Sequence, residues 1–386
     1  MQSQKDITNI KLGVLGGGQL GKMMALAAGN WHLPFYALDK SPDFPAAPYV
    51  TRFFEGDFKN YDDVYQFGQE VDVLTIEIEH VNTDALFQLE KEGLTIHPSP
   101  AALATINDKG AQKLFYKEKQ LPTSPFKLYE DAAAIRKAVA TGELVLPFVQ
   151  KSRTAGYDGR GVFVVNKEEQ LADLLLGPSL IEPKVAIDKE LAVIVARNTS
   201  GQIACFSAVE MAFNPEANLV EFLFCPAQID PEIEAKAEEI ARQTIDAYDL
   251  CGLLAVELFL TTEGELLINE VAPRTHNSGH HTIDSTYTSQ FEQHIRAVLN
   301  LPLGSTRVKC PSVMVNLLGA PGFTGPVYYE GLGDCLAKEG VRVHIYGKTT
   351  TKPFRKMGHV TVLDPELEKA KEKAIWVKDH LRVIST

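Results

Sequence analysis

Two glutamates in the second half of the chain have the type and spacing of a metal-binding pair. Glu257 and Glu270 lie in apolar runs that flank Glu263-Gly264, a combination typical of a β-hairpin turn. If those two residues form the turn, Glu257 lies opposite Glu270, where Cβ atoms are about 4.5–5.5 Å apart and like charges repel. Such a pair requires a cation, and Mg²⁺ takes one or two carboxylates together with phosphate oxygens. The hairpin predicts a metal–nucleotide site, although a three-residue turn would shift the pairing.

Basic and hydrogen-bonding residues directly follow Glu270. Arg274 can bind a planar, carboxylate-like anion through two parallel hydrogen bonds, and His276 and Asn277 lie next to it. These residues predict an anion site beside the metal. The adjacent His280-His281 is also compatible with zinc, but no H-E-x-x-H pattern or cysteine partner supports zinc. A plain polar loop is the remaining alternative.

A glycine-rich segment, residues 154–161, follows a predicted strand that ends at Lys151. Its residues include Gly156, Tyr157, Asp158, Gly159, Arg160 and Gly161. Backbone N–H groups in such a segment can wrap phosphate oxygens, and the flanking Lys and Arg supply positive charge. The alternative is an ordinary hairpin tip with solvated charges. Glu182 and Glu190 further on are each compatible with binding a ribose hydroxyl or with a solvated position.

A second glycine pattern lies near the N-terminus. Gly16, Gly18 and Gly21 fit G-x-G-x-x-G after a strand, and Asp39 follows about 20 residues on, as in a dinucleotide-binding fingerprint. The pattern predicts a close backbone approach and a helix N-terminus that is free for an anion. A nicotinamide or flavin, another phosphate-bearing ligand and a purely structural turn are all compatible with it. Gln19 in the turn suits a phosphate or a ribose.

A second basic cluster lies near the C-terminus and consists of Lys348, Arg355, Lys356 and His359. A solvated charge run and an anion site are both compatible with such a cluster.

The predicted strands and helices that position these residues indicate a fold of mixed class, α/β and α+β. Alternating strands and helices over residues 1–102 predict a doubly wound parallel, Rossmann-like domain. Residues 103–300 predict a largely antiparallel α+β domain, with helices over 101–120 and 282–299. Short strands over residues 301–386 predict a small β-rich C-terminal domain.

Composition limits the class of protein. The 386 residues carry a net charge of −12, which argues against a general nucleic-acid binder. Five dispersed cysteines without a C-x-x-C pair predict reduced cytoplasmic thiols. The N-terminal residues are polar, and no apolar run approaches the ~18 residues that span a bilayer, so we expect neither a signal peptide nor a membrane segment.

Four strings in this order resemble the ATP-grasp superfamily and, within it, the 5-(carboxyamino)imidazole ribonucleotide synthase family. They are residues 16–24, 156–161, 269–280 and 355–359. The resemblance covers residues 11 to 363 and implies an ATP-grasp fold, with a flap subdomain over about 125–195. It further implies that ATP phosphorylates bicarbonate to carboxyphosphate. The exocyclic amine of 5-aminoimidazole ribonucleotide then captures the carboxyl group or released CO₂, in de novo purine biosynthesis. Mg²⁺, with Mn²⁺ as a possible substitute, a homodimer and delivery of the product to a separate mutase are also implied.

The resemblance assigns a role to most of these side chains. Those implied to contact ATP are Lys109, Lys151, residues 156–161, Glu182, Val185, Glu190, Asn269 and Glu270. Those implied to hold the metal are Glu257 and Glu270. Those implied to line the ribonucleotide site are Gly18, Gln19, Leu20, Glu79, Tyr157, Asp158, Arg160, Arg274, His276, Asn277, Lys348, Arg355 and Lys356. Arg274 and Lys348 are the catalytic candidates, beside bicarbonate or carboxyphosphate.

Asn269 raises a geometric question. In a regular strand Asn269 and Glu270 point to opposite faces of the sheet. Both side chains reach one ligand only if the strand twists or bulges there, or if Asn269 contributes backbone.

The chain departs from the family pattern at a few positions. Lys109 stands where Arg is usual and lacks its fork of donors, and Pro183, which has no N–H, follows Glu182 where Lys is usual. Phe213 replaces a usual His. Alternative functions are a formate-dependent glycinamide ribonucleotide transformylase, a Rossmann-type NAD(P) or flavin oxidoreductase, and an inactive nucleotide-binding scaffold.

Overall fold

The N-terminal part is a parallel α/β unit, as predicted. The computed structural model of the protein describes residues 6–154, 161–214 and 219–386. The five strands of the first sheet lie in the order β3-β2-β1-β4-β5, and all neighbours are parallel. The elements are β1 (Leu12–Leu15), α1 (Gln19–Gly29), β2 (Phe35–Asp39), β3 (Arg52–Glu55), α2 (Tyr61–Gly68), β4 (Val73–Ile76), α3 (Thr83–Lys91) and β5 (Thr95–Ile96). The strand order reverses between β1 and β4, where open α/β sheets bind ligands.

The helix predicted over residues 101–120 is two helices, α4 (Pro100–Ile106) and α5 (Lys109–Glu118). Asp108 separates them because its side chain accepts hydrogen bonds from the N–H groups of Gly110 and Ala111. This is the preferred role of Asp at a helix N-cap, and it starts a new helix. As a result, Lys109 lies in the first turn of α5.

A small antiparallel sheet with strand order β6-β9-β7-β8 carries the flap side of the molecule. Its elements are β6 (Lys127–Tyr129), α6 (Ala132–Ala140), β7 (Phe148–Ser152), β8 (Val162–Val165) and β9 (Ser179–Pro183). Phe148, Ile135 and Ile181 form its buried core. Val149 pairs with Glu182 and Lys151 pairs with Leu180, so Lys151 and Glu182 are diagonal neighbours on one face.

The central sheet is large and antiparallel. Its strands and helices are β10 (Ile187–Arg197), β11 (Ile203–Cys205), β12 (Val209–Asn214), β13 (Leu219–Cys225), α7 (Pro231–Ala247), β14 (Gly252–Thr261), β15 (Leu266–Ala272), α8 (Thr282–Ser285) and α9 (Gln290–Val298). Ile240 and Ile245 of α7 pack on apolar residues of β10 and β14. The helix predicted over 282–299 is again divided, because Ser289 caps α9 through the N–H of Glu292.

The C-terminal elements extend the central sheet. They are β16 (Ser312–Leu318), β17 (Gly325–Glu330), α10 (Leu332–Leu336), β18 (Val341–Ile345), β19 (Thr350–Thr351), β20 (Lys356–Leu363), α11 (Leu367–His380) and β21 (Arg382–Ser385). The order β15-β14-β10-β12-β13-β16-β20-β18 makes one continuous sheet, and β19-β17-β21 forms a separate small one. The sheet therefore crosses the predicted 300/301 boundary. Within the described ranges, no helix is long and apolar enough to cross a membrane.

Candidate active site

A cleft of about 840 Å³ lies where the N-terminal sheet, α5, the flap root and the β14–β15 hairpin meet. Many of the predicted site residues line it: Gln19, Leu20, Glu79, Lys109, Glu257, Glu270, Arg274, His276, Asn277 and Lys356. These residues are up to 337 positions apart in sequence (356 − 19), and the fold brings them to one cleft.

The predicted pairing of Glu257 with Glu270 is confirmed, but by a different route from the one the turn suggested. The N–H of Thr261 donates to the carbonyl of Glu265 at 2.8 Å, so the turn has three residues, 262–264. The pairing of Leu258 with Ile268 follows from that turn. A β-bulge between this pair and the next then brings Glu270, not Asn269, opposite Glu257.

The bulge also answers the geometric question about Asn269. Because Asn269 is the extra residue, strand alternation is interrupted between buried Ile268 and Glu270. The Asn269 side chain accepts a hydrogen bond from Lys151 Nζ at 2.8 Å, and Glu270 Oε2 lies 2.5 Å from Lys109 Nζ. Both side chains thus meet lysines of the predicted ATP site.

The carboxylate pair has an uneven charge balance. The surrounding protein opposes ionisation of both acids, although the Glu270 side chain is 45% exposed, and Lys109 holds the pKa of Glu270 below its ordinary value. Burial and the charges of Glu270 and Glu190 raise the pKa of Glu257 to about 8. A cationic candidate for Glu257 is His276, whose Nε2 is 3.6 Å from Glu257 Oε1. Two opposed carboxylates, one of them disfavoured as an anion, are the donor set that suits a divalent cation, so these residues fit Mg²⁺.

The second acidic position is arranged differently. Glu182 is 4% exposed and has a lysine on each oxygen: Lys113 Nζ is 2.5 Å from Oε1 and Lys151 Nζ is 2.7 Å from Oε2. Burial alone would raise the pKa of Glu182, but the two lysines hold it below its ordinary value. Lys113 was not among the predicted site residues, although its spacing of four from Lys109 places both on one face of α5.

Three N–H groups of the glycine pattern near the N-terminus donate to side chains of the protein itself. Glu77 Oε1 accepts from the N–H of Gly18 at 2.5 Å, and its other oxygen accepts from the N–H of Gly21. Asp39 accepts from the N–H of Gly17 at 2.7 Å. The protein's own carboxylates therefore occupy these three N–H groups, which argues against a dinucleotide phosphate there. Gln19 and Leu20 line the cleft, and a ligand at this turn stays a prediction. Burial raises the pKa of Glu77 to about 7.

The segment after the hairpin is held by polar partners. Arg274 Nη2 lies 2.7 Å from Glu79 Oε1, and its Nη1 donates to the carbonyl of Thr275 at 3.0 Å. Asn277 exchanges two hydrogen bonds with Asn316 of β16, at 2.9 and 3.0 Å. The guanidinium and amide groups are thus fixed in the cleft wall before any ligand arrives.

The zinc alternative is not supported by this segment. His280 interacts with Gln290, while His281 Nδ1 and Ser285 Oγ are 2.8 Å apart. No group of three or more His, Cys, Asp or Glu side chains that could hold a metal is found in residues 6–154, 161–214 and 219–386.

The second basic cluster divides into two parts. Lys356 lines the cleft, whereas the described lining does not include Lys348 or Arg355. Lys348 Nζ donates to the carbonyl of Lys356 at 2.7 Å, and Arg355 Nη1 donates to the carbonyl of Thr350 at 2.6 Å. His359 is buried and stacks on His344, with ring centroids 4.5 Å apart.

The other predicted ATP residues lie around the lysines or at the flap root. Glu190 is on β10, where burial raises its pKa although Lys151 opposes the shift. Val185 lies between β9 and β10, and the carbonyl of Gly161 accepts from the N–H of Ser152 at 2.8 Å. Gly156, Tyr157, Asp158, Gly159 and Arg160 lie outside the described residues.

Several residues of the cleft wall escaped the sequence reasoning. Arg153 binds Asp108 with two donors, at 2.9 and 2.6 Å, and anchors the flap root to the start of α5. Its position two residues after Lys151 was a usable signal. Lys59 also lines the cleft, but it has no local pattern that separates it from an ordinary polar residue. His280, which the sequence indicated only within the polar segment after Glu270 and as a zinc candidate, lines the cleft too.

Comparison with known proteins agrees with this architecture. Residues 9–107 match the ribonucleotide synthetase preATP-grasp domain, residues 114–291 the ATP-grasp domain, and residues 312–373 the phosphoribosylaminoimidazole carboxylase C-terminal domain. The fold and the cleft are therefore those of an ATP-grasp protein.

Named relatives identify the family to which the chain belongs among ATP-grasp proteins. The chain is 38% identical to N5-carboxyaminoimidazole ribonucleotide synthase of Bacillus subtilis, covering 92% of each chain. The structure of N5-carboxyaminoimidazole ribonucleotide synthetase from Thermotoga maritima superposes with a TM-score of 0.90 at 42% identity, covering 98% of this chain and 100% of that one. The enzyme from Aspergillus clavatus, in complex with ADP and 5-aminoimidazole ribonucleotide, superposes with a TM-score of 0.89 at 32% identity, covering 97% and 100%. The chain belongs to the N5-carboxyaminoimidazole ribonucleotide synthase family.

Some relatives are longer. The chain is 39% identical to the chloroplastic phosphoribosylaminoimidazole carboxylase of Vigna aconitifolia over 93% of its own length, but spans only 65% of that protein.

Proposed function

We propose that this chain carboxylates 5-aminoimidazole ribonucleotide to N5-carboxyaminoimidazole ribonucleotide, at the expense of ATP and bicarbonate, in de novo purine biosynthesis. The observation that carries the proposal is the Glu257–Glu270 pair, which faces Lys109 and lies in one cleft with Arg274 and Lys356. The Aspergillus clavatus relative, which binds ADP and 5-aminoimidazole ribonucleotide, supports it further.

The reaction balances in two steps. A bicarbonate oxygen attacks the γ-phosphorus of ATP, ADP leaves, and carboxyphosphate forms. The exocyclic amine then takes the carboxyl carbon, directly or as CO₂, while phosphate and a proton are released. Bound Mg²⁺, held by Glu257 and Glu270, would neutralise negative charge on the phosphoryl oxygens.

The chain's own residues bind and orient the reactants. We assign Lys109 and Lys151 to phosphate oxygens because both ammonium groups lie beside the carboxylate pair and its neighbour Asn269. Arg274 is assigned to the bicarbonate-derived anion, since Glu79 already fixes its guanidinium in the cleft wall. Lys356 is assigned to the ribonucleotide. Lys348 acts in this scheme through its hydrogen bond to the carbonyl of Lys356, which fixes the start of β20.

The departures at Lys109 and Phe213 leave the lining intact. Lys109 lies 2.5 Å from Glu270, and Phe213 contributes an apolar surface to the same cleft. A multiple-turnover reaction separates an active enzyme from an inactive scaffold. The homodimer, the cytoplasmic location and delivery to a separate mutase stay predictions.

The test is ADP release with bicarbonate and 5-aminoimidazole ribonucleotide present or omitted in turn. We expect release over many turnovers that requires bicarbonate and is stimulated by the ribonucleotide, with the carboxylated product formed in equal amount. Formate and glycinamide ribonucleotide in the same assay are the control for the transformylase alternative. ADP release that ignores 5-aminoimidazole ribonucleotide would refute the proposal.

A further inference from the structure

Lys113 is a buried lysine that the proposed mechanism does not use. Its residue is 1% exposed, in the second turn of α5 and four positions after Lys109. Its Nζ contacts Glu182 Oε1 and Thr123 Oγ1, each at 2.5 Å, and the carbonyl of Ile268 at 3.5 Å. One ammonium group therefore joins α5 to the flap-side sheet and to the strand that carries Asn269.

The contacts of Glu182 are divided between two cations. Two lysines share this one carboxylate, and the remaining contact of Lys151 is the neutral Asn269 side chain. Lys151 also interacts electrostatically with Glu190 and Glu270, because its charge opposes the pKa rise that burial causes in both acids. Of the two lysines, Lys151 is the one that a ligand can reach, because its side chain is 12% exposed whereas that of Lys113 is 2% exposed.

The shared carboxylate determines how firmly Lys151 is held. A carboxylate with one lysine on each oxygen attracts each of them less than it would attract a single partner, because the two cations repel each other. If Lys113 were neutral, Glu182 would pair with Lys151 alone and would hold it more firmly.

We propose that Lys113 is a positioning residue for the nucleotide: by occupying one oxygen of Glu182, it leaves Lys151 available to a phosphate oxygen. This inference rests on the proposed function only in taking the anion to be a nucleotide phosphate. Lys113 touches no substrate in this account and acts through Glu182 and Lys151. Burial lowers the pKa of Lys113, and the charge of Glu182 opposes this shift.

The first experiment measures Mg²⁺–ADP binding by titration calorimetry for Lys113→Gln and Lys113→Met. We expect the dissociation constant to rise about tenfold or more, the effect of one lost charge interaction in a poorly solvated site. Lys117→Gln is the matched control, because Lys117 is four residues further along the same helix and exposed. Its dissociation constant should stay within about twofold of wild type.

Steady-state kinetics separate positioning from a purely structural role. Lys113→Gln should raise the KM for ATP and leave the KM for the ribonucleotide unchanged, whereas partial unfolding would lower kcat alone. Wild-type Mg²⁺–ADP affinity in a folded Lys113→Gln variant would overturn the inference. If the wild-type enzyme failed to use the ribonucleotide, the proposed function would fall, while ADP binding would still decide the role of Lys113.

A double variant covers the case in which the single variants do not fold. Glu182→Gln combined with Lys113→Met removes both charges and leaves no buried carboxylate uncompensated. If Lys113 acts through Glu182, the double variant binds Mg²⁺–ADP within about threefold of Glu182→Gln alone. A further tenfold loss would mean that Lys113 acts on the nucleotide independently, and would overturn the inference.

Discussion

Glu182 and Glu257 are both acids withdrawn from solvent beside the nucleotide cleft, yet their charges are balanced in opposite ways. Glu182 has a lysine on each oxygen, at 2.5 and 2.7 Å, and its pKa lies below the ordinary value. Glu257 lies opposite a second acid, Glu270, and burial raises its pKa to about 8. Lysines balance the first acid, whereas the second acid lies against another carboxylate.

The difference separates architecture from ligand binding. A buried carboxylate with its full set of cations can stay charged without outside help, so it organises the protein around it. A carboxylate that faces another carboxylate is stabilised in its ionised form when a metal binds. The comparison predicts that neutralising the two acids has different consequences.

The largest expected effect is on turnover in Glu270→Gln. This variant should lower kcat for ADP formation by at least about 100-fold, because it removes a proposed metal ligand beside the transferring phosphoryl group. Glu182→Gln should act mainly on the KM for ATP. The thermal midpoint of Glu270→Gln should stay near that of wild type, since its side chain is 45% exposed.

Steady-state assays over a range of ATP and Mg²⁺ concentrations make this measurement, with circular dichroism as the check on folding. Near-normal kcat in a folded Glu270→Gln protein would break the distinction between the two acids.

The next largest expected effect is on the free energy of unfolding and concerns a third buried acid, Glu77. Glu77 is compensated by peptide N–H groups and not by lysines, and its pKa is raised from 4.5 to about 7. A raised pKa favours the protonated form in the folded state. Its stabilising contribution is therefore complete below about pH 4.5 and is lost as the pH rises through about 7. Between these values the contribution should fall by at most about 3 kcal/mol.

Urea unfolding of wild type and Glu77→Gln at several pH values measures this contribution as a difference in free energy of unfolding. The wild-type advantage should shrink as the pH rises, because the glutamine does not titrate. A difference that grows with pH would show that the N–H groups compensate Glu77 as fully as lysines compensate Glu182.

The smallest expected effect is the release of a proton when Mg²⁺–ADP binds. Because burial raises the pKa of Glu257 to about 8 and a metal requires the carboxylate, binding of Mg²⁺–ADP at pH 7 should release up to about one proton. Calorimetry in two buffers with different ionisation enthalpies counts the protons released. Glu257→Gln should release fewer, and equal release by both proteins would place the proton elsewhere.

The sequence predicted the parts of this site that depend on order and alternation. The parallel N-terminal unit and the position of Lys151 on a strand follow from local patterns, and the structure has both. The Glu257–Glu270 pairing was predicted from a two-residue turn, whereas the structure reaches it through a three-residue turn and a bulge. The divided helices at Asp108 and Ser289 were also visible in principle, because Asp and Ser are strong N-cap residues.

The remainder depends on contacts between distant segments. No residue near Gly18 in the sequence indicates that its N–H donates to Glu77, which is 59 residues away. Likewise, the burial of Lys113 depends on Glu182 and Thr123, which lie on other elements. A charge pattern along a helix shows which face a lysine occupies, but not which acid it meets.

The bulge at Asn269 makes this residue an insertion. Because Leu258 pairs with Ile268 and Glu257 pairs with Glu270, Asn269 has no partner across the hairpin. A chain that lacked Asn269 would keep both pairings and hence the two opposed acids. It would lose only the amide that accepts from Lys151. The pairing of the two carboxylates therefore belongs to the regular ladder of the hairpin, whereas the hydrogen bond to Lys151 depends on one added residue.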